Sequence, residues 1–574
     1  MRIAVIDRER CKVRTCGLVC KKCCPMVKTG KETIVEDEES GKPVIVEELC
    51  SGCGICTKKC PRDAIQIINI VEEVGEPIHQ YGVNGFRLYN LPTPKEGVVG
   101  IVGANGIGKT TMMKILSGEL KPNLGMEHAE WGEVVARFRG REIQNYLEKL
   151  SRKEMKAVYK PQHVDKIPIH VKGKVRDVLE KSDTSGRMKD IVEKLDLTNA
   201  LGAEMKELSG GELQRVALTA CLAREADVYL IDEPSSYLDV RERINMAKVI
   251  REIAEKTKKY VFVIEHDLIV LDYLSDYVHV IYGASGAYGV ISNIKSTRVG
   301  INEYLGGYLK SENVRFREEI KFDVRPPKDK KEIKERIEYP ELKKHYERFK
   351  LDVDGGVIEG PEMLGILGKN AIGKTTFVKM LAGVIEPDKC KLDLNLKVSY
   401  KPQYIEAQDA LVVSLHPNPE LVERFRIRHL MERNMNDLSG GELQKVAIVD
   451  CLSKDADLYL LDEPSAYLDV EERLKLSKHL KKYIEDNRKS ILVVDHDIML
   501  VDYLSDQLMV FSGEGGKYGH ATPPMDLRSG MNKFLKDMNT TFRRDAETKR
   551  PRINKPDSVK DREQRNSGQY YYVE

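Results

Sequence analysis

Two eight-residue stretches, Gly103–Thr110 and Gly368–Thr375, read G-x-x-x-x-G-K-T. Each follows an apolar run expected to be a buried strand ("GVVGIVG", "EMLGILG") and opens a segment expected to be a helix. In that setting glycines let backbone N–H groups wrap a phosphate at the positive end of a helix. The nucleotide-binding candidates are Gly103, Asn105, Gly106, Gly108, Lys109, Thr110 and Thr111, then Gly368, Asn370, Gly373, Lys374, Thr375 and Thr376. Lys109 and Lys374 reach the β/γ-phosphates, and Thr110 and Thr375 offer hydroxyls to Mg²⁺. Farther on, "VYLIDE" and "LYLLDE" end apolar strands in acidic pairs. Asp232 and Asp462 suit Mg²⁺, directly or through water, and Glu233 and Glu463 stand where a general base polarises the attacking water. Gln162 and Gln403, each in a "KPQ", are candidates to sense that Mg²⁺ and water, although a KPQ alone is also an ordinary turn. His266 and His496 follow apolar strands and, in this ordered series, read as γ-phosphate contacts rather than core histidines. Ser209, Gly210 and Gly211, with Ser439, Gly440 and Gly441, open helices and supply a second anion-binding N-terminus each.

The cysteines are concentrated. Nine of twelve lie in the first 60 residues, and Cys221, Cys390 and Cys451 read as small buried apolar residues. In a chain without an export signal this clustering points to metal ligation rather than disulfides. Cys50, Cys53, Cys56 and Cys60–Pro61 give C-x₂-C-x₂-C-x₃-C-P, the run of bacterial ferredoxins. Cys11, Cys16, Cys20 and Cys24–Pro25 give C-x₄-C-x₃-C-x₃-C-P, a departure from the ferredoxin spacing. If the ferredoxin crossing applies, Cys50, Cys53 and Cys56 share a cluster with Cys24, and Cys11, Cys16 and Cys20 share one with Cys60. Cys23 is left over. Zinc is the competing reading, but its sites usually show C-x₂-C pairs separated by longer loops.

The elements that position these groups come in two copies. "LSGGELQRVAL" at 208 recurs as "LSGGELQKVAI" at 438, and "YLIDEPSSYLDV" at 229 as "YLLDEPSAYLDV" at 459. "VIEHD" at 263 recurs as "VVDHD" at 493, and "RVGINEYL" at 298 as "RSGMNKFL" at 528, all offset by 230. Two homologous α/β cassettes follow, each with a connecting element behind it. The phosphate loops are offset by 265 and the KPQ pairs by 241, so the first cassette carries about 24 extra residues between them. Residues 137–160 are expected to form a helical insertion from the spacing of Ile143, Leu147 and Leu150. That stretch holds eight basic and three acidic residues, equally compatible with a solvated face and with RNA docking. The charged stretch 325–349 crosses into the second cassette, and the polar tail from about 546 is expected to order only where it docks.

A length of 574 residues exceeds one core. The division reads as 1–72, an α+β iron–sulfur domain; 73–291, the first cassette; 292–325, a hinge; 326–522, the second cassette; and 523–574, a second hinge with the tail. Apolar runs fall far short of the ~20 residues of a membrane span, and the N-terminus has no apolar signal core. The expectation is a cytoplasmic protein without membrane contact. A net charge of +2 leaves nucleic-acid contact to local patches.

Phosphate loop, glutamine, LSGGE, Asp-Glu and histidine in this order resemble the ABC ATPases. With the cysteine module and the paired hinges, nearly the whole chain resembles their E subfamily, the RNase L inhibitor family. The resemblance implies two P-loop domains arranged head to tail, each ATP lying between one phosphate loop and the other cassette's LSGGE. Lys109, Asp232 and Glu233 then share a site with Ser439, and Lys374, Asp462 and Glu463 with Ser209. Adenine stacks on an upstream aromatic, for which Tyr81 competes with Phe86 and Tyr346 with Phe349, all equally plausible as core. The implied cofactors are two 4Fe–4S clusters, Mg²⁺ and two ATP. The implied work is ribosome recycling by a monomer: closure swings the iron–sulfur domain and splits the ribosome, with a release factor bound and initiation factors as further partners. The insertion, at about 140–156, and the hinges then contact the small subunit and its rRNA. Two rivals come from other classes, an ATP-coupled iron–sulfur redox enzyme and the energising subunit of a transporter. The sequence shows no dinucleotide or flavin fingerprint for the first, and the metal module and fused hinges argue against the second.

Overall fold

Near-continuous apolar strands need cover on both faces, and here they form the parallel cores of two sheets. The computed structural model describes residues 2–69, 75–320, 335–388, 392 and 396–571. In the second cassette the parallel strands run in the order Gln507–Glu514, Met363–Gly368, Ser490–Val494, Leu458–Asp462 and Val398–Lys401. The first cassette repeats these pairings with Tyr277–Ala284 beside Gly97–Val102, and Tyr260–Ile264, Val228–Asp232 and Ala157–Lys160 side by side. Phosphate loop, acidic pair and histidine all follow strand C-termini, the edge where open α/β sheets bind ligands. The signature helices Gly210–Leu222 and Gly440–Ser453 begin at Ser209 and Ser439, whose capping boxes with Glu212 and Glu442 satisfy the first free N–H groups.

The N-terminal module pairs strand Arg2–Ile6 antiparallel with Ile65–Asn69. Its helices Val19–Cys23 and Ile55–Lys59 are near copies: each starts after a left-handed residue, Leu18 or Gly54, and each ends at an extended cysteine, Cys24 or Cys60. The following Pro25 and Pro61 stop the helix from continuing.

Helices Thr297–Gly306 and Leu527–Asp537 carry the repeated R-x-G segments and pack on the sheets through Gly300 and Gly530, where a side chain would strike Val278 or Leu508. The cassettes, these helices and the N-terminal module share one apolar cluster, running from Ile3 and Val5 through Val240, Ile244, Val470 and Leu474 to Phe534, Phe542 and Ile553.

One expectation needs correction. Residues 137–160 are not one helix: the helix spans Glu142–Ser151, and Ala157–Lys160 is a strand beside Val228–Asp232. Lys153, at φ 59°, ends the helical run, and inward Val158 and Lys160 then alternate as a strand requires. The tail is ordered where it docks, as expected, with strand Pro551–Ile553 paired to Phe542–Arg544, helix Val559–Ser567 and a fully buried Arg550 on Asp272 of the first cassette. Cys221 and Cys451 are buried as expected, while Cys390 and residues 325–334 of the charged stretch lie outside the described residues.

Candidate functional site

Each phosphate loop tightens at a left-handed glycine, Gly108 at φ 92° and Gly373 at φ 96°. A Cβ on Gly108 would stand 2.6 Å from the Phe86 ring, and one on Gly373 2.8 Å from Leu351. Helices Lys109–Ser117 and Lys374–Leu381 start at once, which turns their free N–H groups toward the loop. Thr110 and Thr111, like Thr375 and Thr376, occupy the first turn of those helices. The Lys109 ammonium donates to the Gly103 and Ala104 carbonyls at 2.8 and 3.0 Å and to Asn105 Oδ1 at 3.1 Å. Lys374 donates to the Gly368 carbonyl at 3.0 Å and to that of Lys369. Burial pushes both ammonium groups down, Lys374 to about 8.

The acidic pairs split their roles by environment. Burial, backed by the neighbouring Glu233 charge, pushes Asp232 up to about 6. Asp462 rises to about 6 for the same reasons, the Thr375 hydroxyl pulling the other way. Burial alone would also raise Glu233, but His266, Lys109 and Gln162 together hold it down at about 2. His496, Lys374 and Gln403 do the same for Glu463. Gln162 Nε2 donates to Glu233 Oε1 at 2.8 Å, and Gln403 Nε2 to Glu463 Oε1 at 2.8 Å. His266 Nε2 lies 3.1 Å from Glu233 Oε1 and 3.0 Å from Lys109 Nζ, and His496 Nε2 lies 3.3 Å from Glu463 Oε1. The first site opens on a cavity of about 430 Å³ lined by Tyr81, Phe86, Lys109, Thr110, Gln162 and Glu233, among others.

The donors fit Mg²⁺. Both Asp462 oxygens are buried and, among the described residues, accept no hydrogen bond of ordinary geometry, although the Thr375 hydroxyl acts on the same carboxylate. A buried carboxylate beside a threonine hydroxyl suits a hard cation, and in the first site Thr110, Gln162 and Asp232 line the same cavity.

Tyr81 and Phe86 both line the cavity, but differently. Phe86 packs beneath Gly108, whereas Tyr81 is 46% exposed with its hydroxyl 3.3 Å from Thr111 Oγ1. In the second cassette Tyr346 is 45% exposed, and Phe349 stacks against it at 6.5 Å while packing on Gly373.

Among the contacts between the cassettes are two from residues that carry no role in the motifs, Asp239 and Asp469. Asp239 uses one oxygen to cap the helix Val240–Thr257 and the other to accept from the Asn370 N–H at 3.0 Å. Asp469 caps Val470–Asn487 and accepts from the Asn105 N–H at 2.8 Å. Each phosphate loop is thereby bonded to the segment behind the other cassette's acidic pair. Recurrence of "YLDV" at an offset of 230 was the available signal. Ser209 and Ser439 sit beside these segments, since Gly210 and Gly211 pack on Tyr237, and Gly440 and Gly441 on Tyr467.

In the N-terminal module, burial foremost and neighbouring thiols besides push Cys11, Cys20, Cys23 and Cys56 up. Cys16 and Cys60 act on Cys11, while Cys11, Cys16 and Cys56 act on Cys20. Cys50 and Cys23 act on Cys56, while Cys24 and Cys53 act on Cys23. Cys11, Cys16, Cys20 and Cys60 therefore share one neighbourhood, and Cys23, Cys24, Cys50, Cys53 and Cys56 a second, with Cys56 acting on Cys20 across the two. The Ala64 N–H points at Cys60 Sγ at 3.3 Å. Among the described residues no three His, Cys, Asp or Glu groups converge on a single-ion position. A cubane instead takes each thiolate on a separate iron, so the donor set fits 4Fe–4S chemistry.

The N-terminal module is pinned to the first cassette. Asn84, between Tyr81 and Phe86, accepts from the Ile45 N–H at 2.7 Å and donates to the Ile45 and Ala4 carbonyls at 3.0 and 3.2 Å. Arg87 pairs with Glu47 at 2.8 Å. Toward the second cassette, Arg10 lies 3.9 Å from Glu442 of the signature helix.

Fold and site together define an ATP-binding protein with two ABC cassettes and an iron–sulfur domain. The ABC transporter family matches residues 87–236 and 353–466, the 4Fe-4S binding domain matches 43–66, and the Fer4-like domain of RNase L inhibitor matches 1–32. Translation initiation factor RLI1 of Saccharomyces cerevisiae is 45% identical over 100% of this chain and 98% of its own. ABC transporter E family member 1 of Arabidopsis thaliana is 44% identical over 100% of this chain and 99% of its own. A solved structure described as a model of ribosome-bound archaeal Pelota and ABCE1 superposes with a TM-score of 0.93 at 52% identity, covering 100% of this chain and 99% of that one. An archaeal ribosome recycling factor solved with the ribosomal stalk protein aP1 superposes at 0.83 and 53% identity, covering 88% of this chain and 100% of that one. The chain belongs to the E family of ABC ATPases, the RNase L inhibitor family. No described helix is long and apolar enough to cross a membrane.

Proposed function

We propose that this protein is an ATP-hydrolysing ribosome-recycling factor in which two ATP-driven cassettes move the iron–sulfur domain against the ribosome. The observation that carries the mechanism is the reciprocal bonding of Asn105 to Asp469 and Asn370 to Asp239, which places each phosphate loop against the opposite cassette. Relatives solved on a ribosome and with a ribosomal stalk protein supply the partner class. In each site, loop N–H groups and Lys109 or Lys374 hold the β/γ-phosphates, and the opposing Ser439 or Ser209 closes over the γ-phosphate. Thr110, Gln162 and Asp232, or Thr375, Gln403 and Asp462, would hold Mg²⁺, which neutralises phosphate charge when bound. Glu233 or Glu463 orients the attacking water and takes its proton, and His266 or His496 steadies that carboxylate against the γ-phosphate. Tyr81 and Tyr346 are the exposed rings suited to the adenine face.

Cys11, Cys16, Cys20 and Cys60, with Cys24, Cys50, Cys53 and Cys56, would hold two 4Fe–4S clusters that stiffen the N-terminal module. We assign the functional units to 1–72, 73–291, 292–325, 326–522 and 523–574, acting in the cytoplasm as a monomer. The small subunit and its rRNA, with a release factor, are the partners in splitting, and initiation factors are partners afterwards. Iron and sulfide analysis of anaerobically purified protein should give about eight of each per chain; stoichiometric zinc without iron would refute the clusters. Glu233→Gln combined with Glu463→Gln should hold the ATP-bound protein on small subunits in gradient sedimentation. Absence of any nucleotide-dependent association would refute the ribosomal reading.

A further inference from the structure

Glu233 and Glu463 occupy left-handed backbone, at φ 44° and 48°. A glutamate stays in that region only when its surroundings hold it there. On one side, the Glu233 N–H donates to the Ile264 carbonyl at 3.0 Å, and the Glu463 N–H to that of Val494 at 2.8 Å. On the other, the Glu233 carbonyl accepts from Gln214 Nε2 at 2.6 Å and from Lys160 Nζ at 3.3 Å. The Glu463 carbonyl accepts from Gln444 Nε2 at 2.6 Å and from Lys401 Nζ at 3.2 Å. Gln214 and Gln444 are fully buried, and among the described residues their Oε1 atoms accept nothing, so this bond is the one that aims each amide there.

Their location gives the bond a second meaning. Gln214 lies on the helix opened by Ser209, beside the segment whose Tyr237 carbonyl and Asp239 carboxylate touch Asn370 of the second phosphate loop. Gln444 lies on the helix opened by Ser439, beside the segment whose Asp469 touches Asn105 of the first. One rigid helix thus has its N-terminus at one ATP site and a side chain on the glutamate of the other.

We propose that Gln214 and Gln444 are positioning residues that tie the water-activating glutamate of each ATP site to the signature helix serving the opposite site. A shift of the helix Gly210–Leu222 on nucleotide binding at Lys374 then turns Glu233 through its carbonyl, and the helix Gly440–Ser453 does the reverse for Glu463. This rests on the assignment of Glu233 and Glu463 as the bases.

The test measures steady-state ATP hydrolysis, ATP affinity and thermal unfolding of the full chain. Gln214→Met keeps the side-chain volume and removes the donor. Measured in the Glu463→Gln background, where only the Glu233 site turns over, kcat should fall about 10- to 100-fold, with ATP affinity within about twofold. The defect should not multiply when added to Glu233→Gln but should multiply when added to Glu463→Gln; Gln444→Met should show the opposite pattern. A retained kcat, an affinity that falls in step with it, or equal multiplication with both glutamates would overturn the proposal. If Gln214→Met melts below the assay temperature, Gln214→Asn, polar but one methylene short of the carbonyl, carries the same test. Should Glu233→Gln and Glu463→Gln, alone and together, hydrolyse ATP like the unaltered protein, the base assignment fails first.

Discussion

The two ATP sites are nearly superimposable in chemistry and different in what is attached to them. Glutamine to glutamate is 2.8 Å in both, the buried KPQ lysine reaches the aspartate carbonyl at 2.8 Å in both, and both glutamates are held at about 2. The differences begin just outside. Asp232 accepts from the Tyr159 hydroxyl at 3.0 Å, whereas the Tyr400 hydroxyl at the matching position has no hydrogen-bond partner among the described residues. At the phosphate-loop offset of 265, Asn84 and Phe349 correspond. Asn84 leaves its cassette to enter the iron–sulfur module, and Phe349 folds under its own Gly373. Duplicated chemistry with unequal attachments is what a device needs if two similar strokes are to move one side domain.

Predictions can press on that comparison, beginning with the largest effect. Glu233→Gln and Glu463→Gln should each abolish the base of one site, slowing hydrolysis there about 10²- to 10⁴-fold. Single-turnover assays in which either variant keeps both sites at full rate would break the equivalence. The hairpin of strands Phe542–Arg544 and Pro551–Ile553 comes next. Its Arg550 and Arg552 hold Asp272 of the first cassette, and its Arg544 holds Asp502, the residue 230 positions on. Asp272→Ala strands the fully buried Arg550 and should cost about 3–5 kcal/mol. Arg544 is 12% exposed and keeps the Tyr571 hydroxyl and the Lys549 carbonyl, so Asp502→Ala should lower the calorimetric transition less. Asn84→Ala leaves buried backbone groups of Ala4 and Ile45 unpaired, a loss of about 1–3 kcal/mol. Hydrogen exchange at Ile45 should accelerate, while Phe349→Leu should leave it alone. Smallest are Tyr81→Ala and Tyr346→Ala, which should weaken ATP binding about 2- to 10-fold, as loss of one stacked ring of about 0.5–1.5 kcal/mol implies.

Much of this was legible before any coordinates. Loop lysines, acidic pairs, glutamines and histidines are identifiable because each chemical role admits few residue types and the order is repeated. The cysteine grouping was legible in part: its spacing separates Cys11, Cys16 and Cys20 from Cys50, Cys53 and Cys56, but leaves Cys23 and Cys24 as neighbours of one another. What stayed hidden depends on the third dimension. Gln214 and Lys160 act on a carbonyl, so their targets have no side-chain signature. Asp239 reads as an ordinary helix cap until Asn370 is brought to its second oxygen. The strand Ala157–Lys160 was lost in a helical expectation because basic residues on both sides of Lys153 mask the change of period. Arg550 looked like part of a polar tail, since only the fold supplies Asp272 to pair with it.

The central claim is that hydrolysis-competent closure at two sites separates ribosomal subunits. The most direct measurement is light scattering of purified post-termination ribosomes mixed with this protein, a release factor and ATP. The account predicts a fall in scattering to the level of free subunits, absent with Glu233→Gln combined with Lys374→Ala and unaffected by added electron donors. Ribosomes that stay whole with the unaltered protein and ATP, or that split equally well without nucleotide, would contradict it.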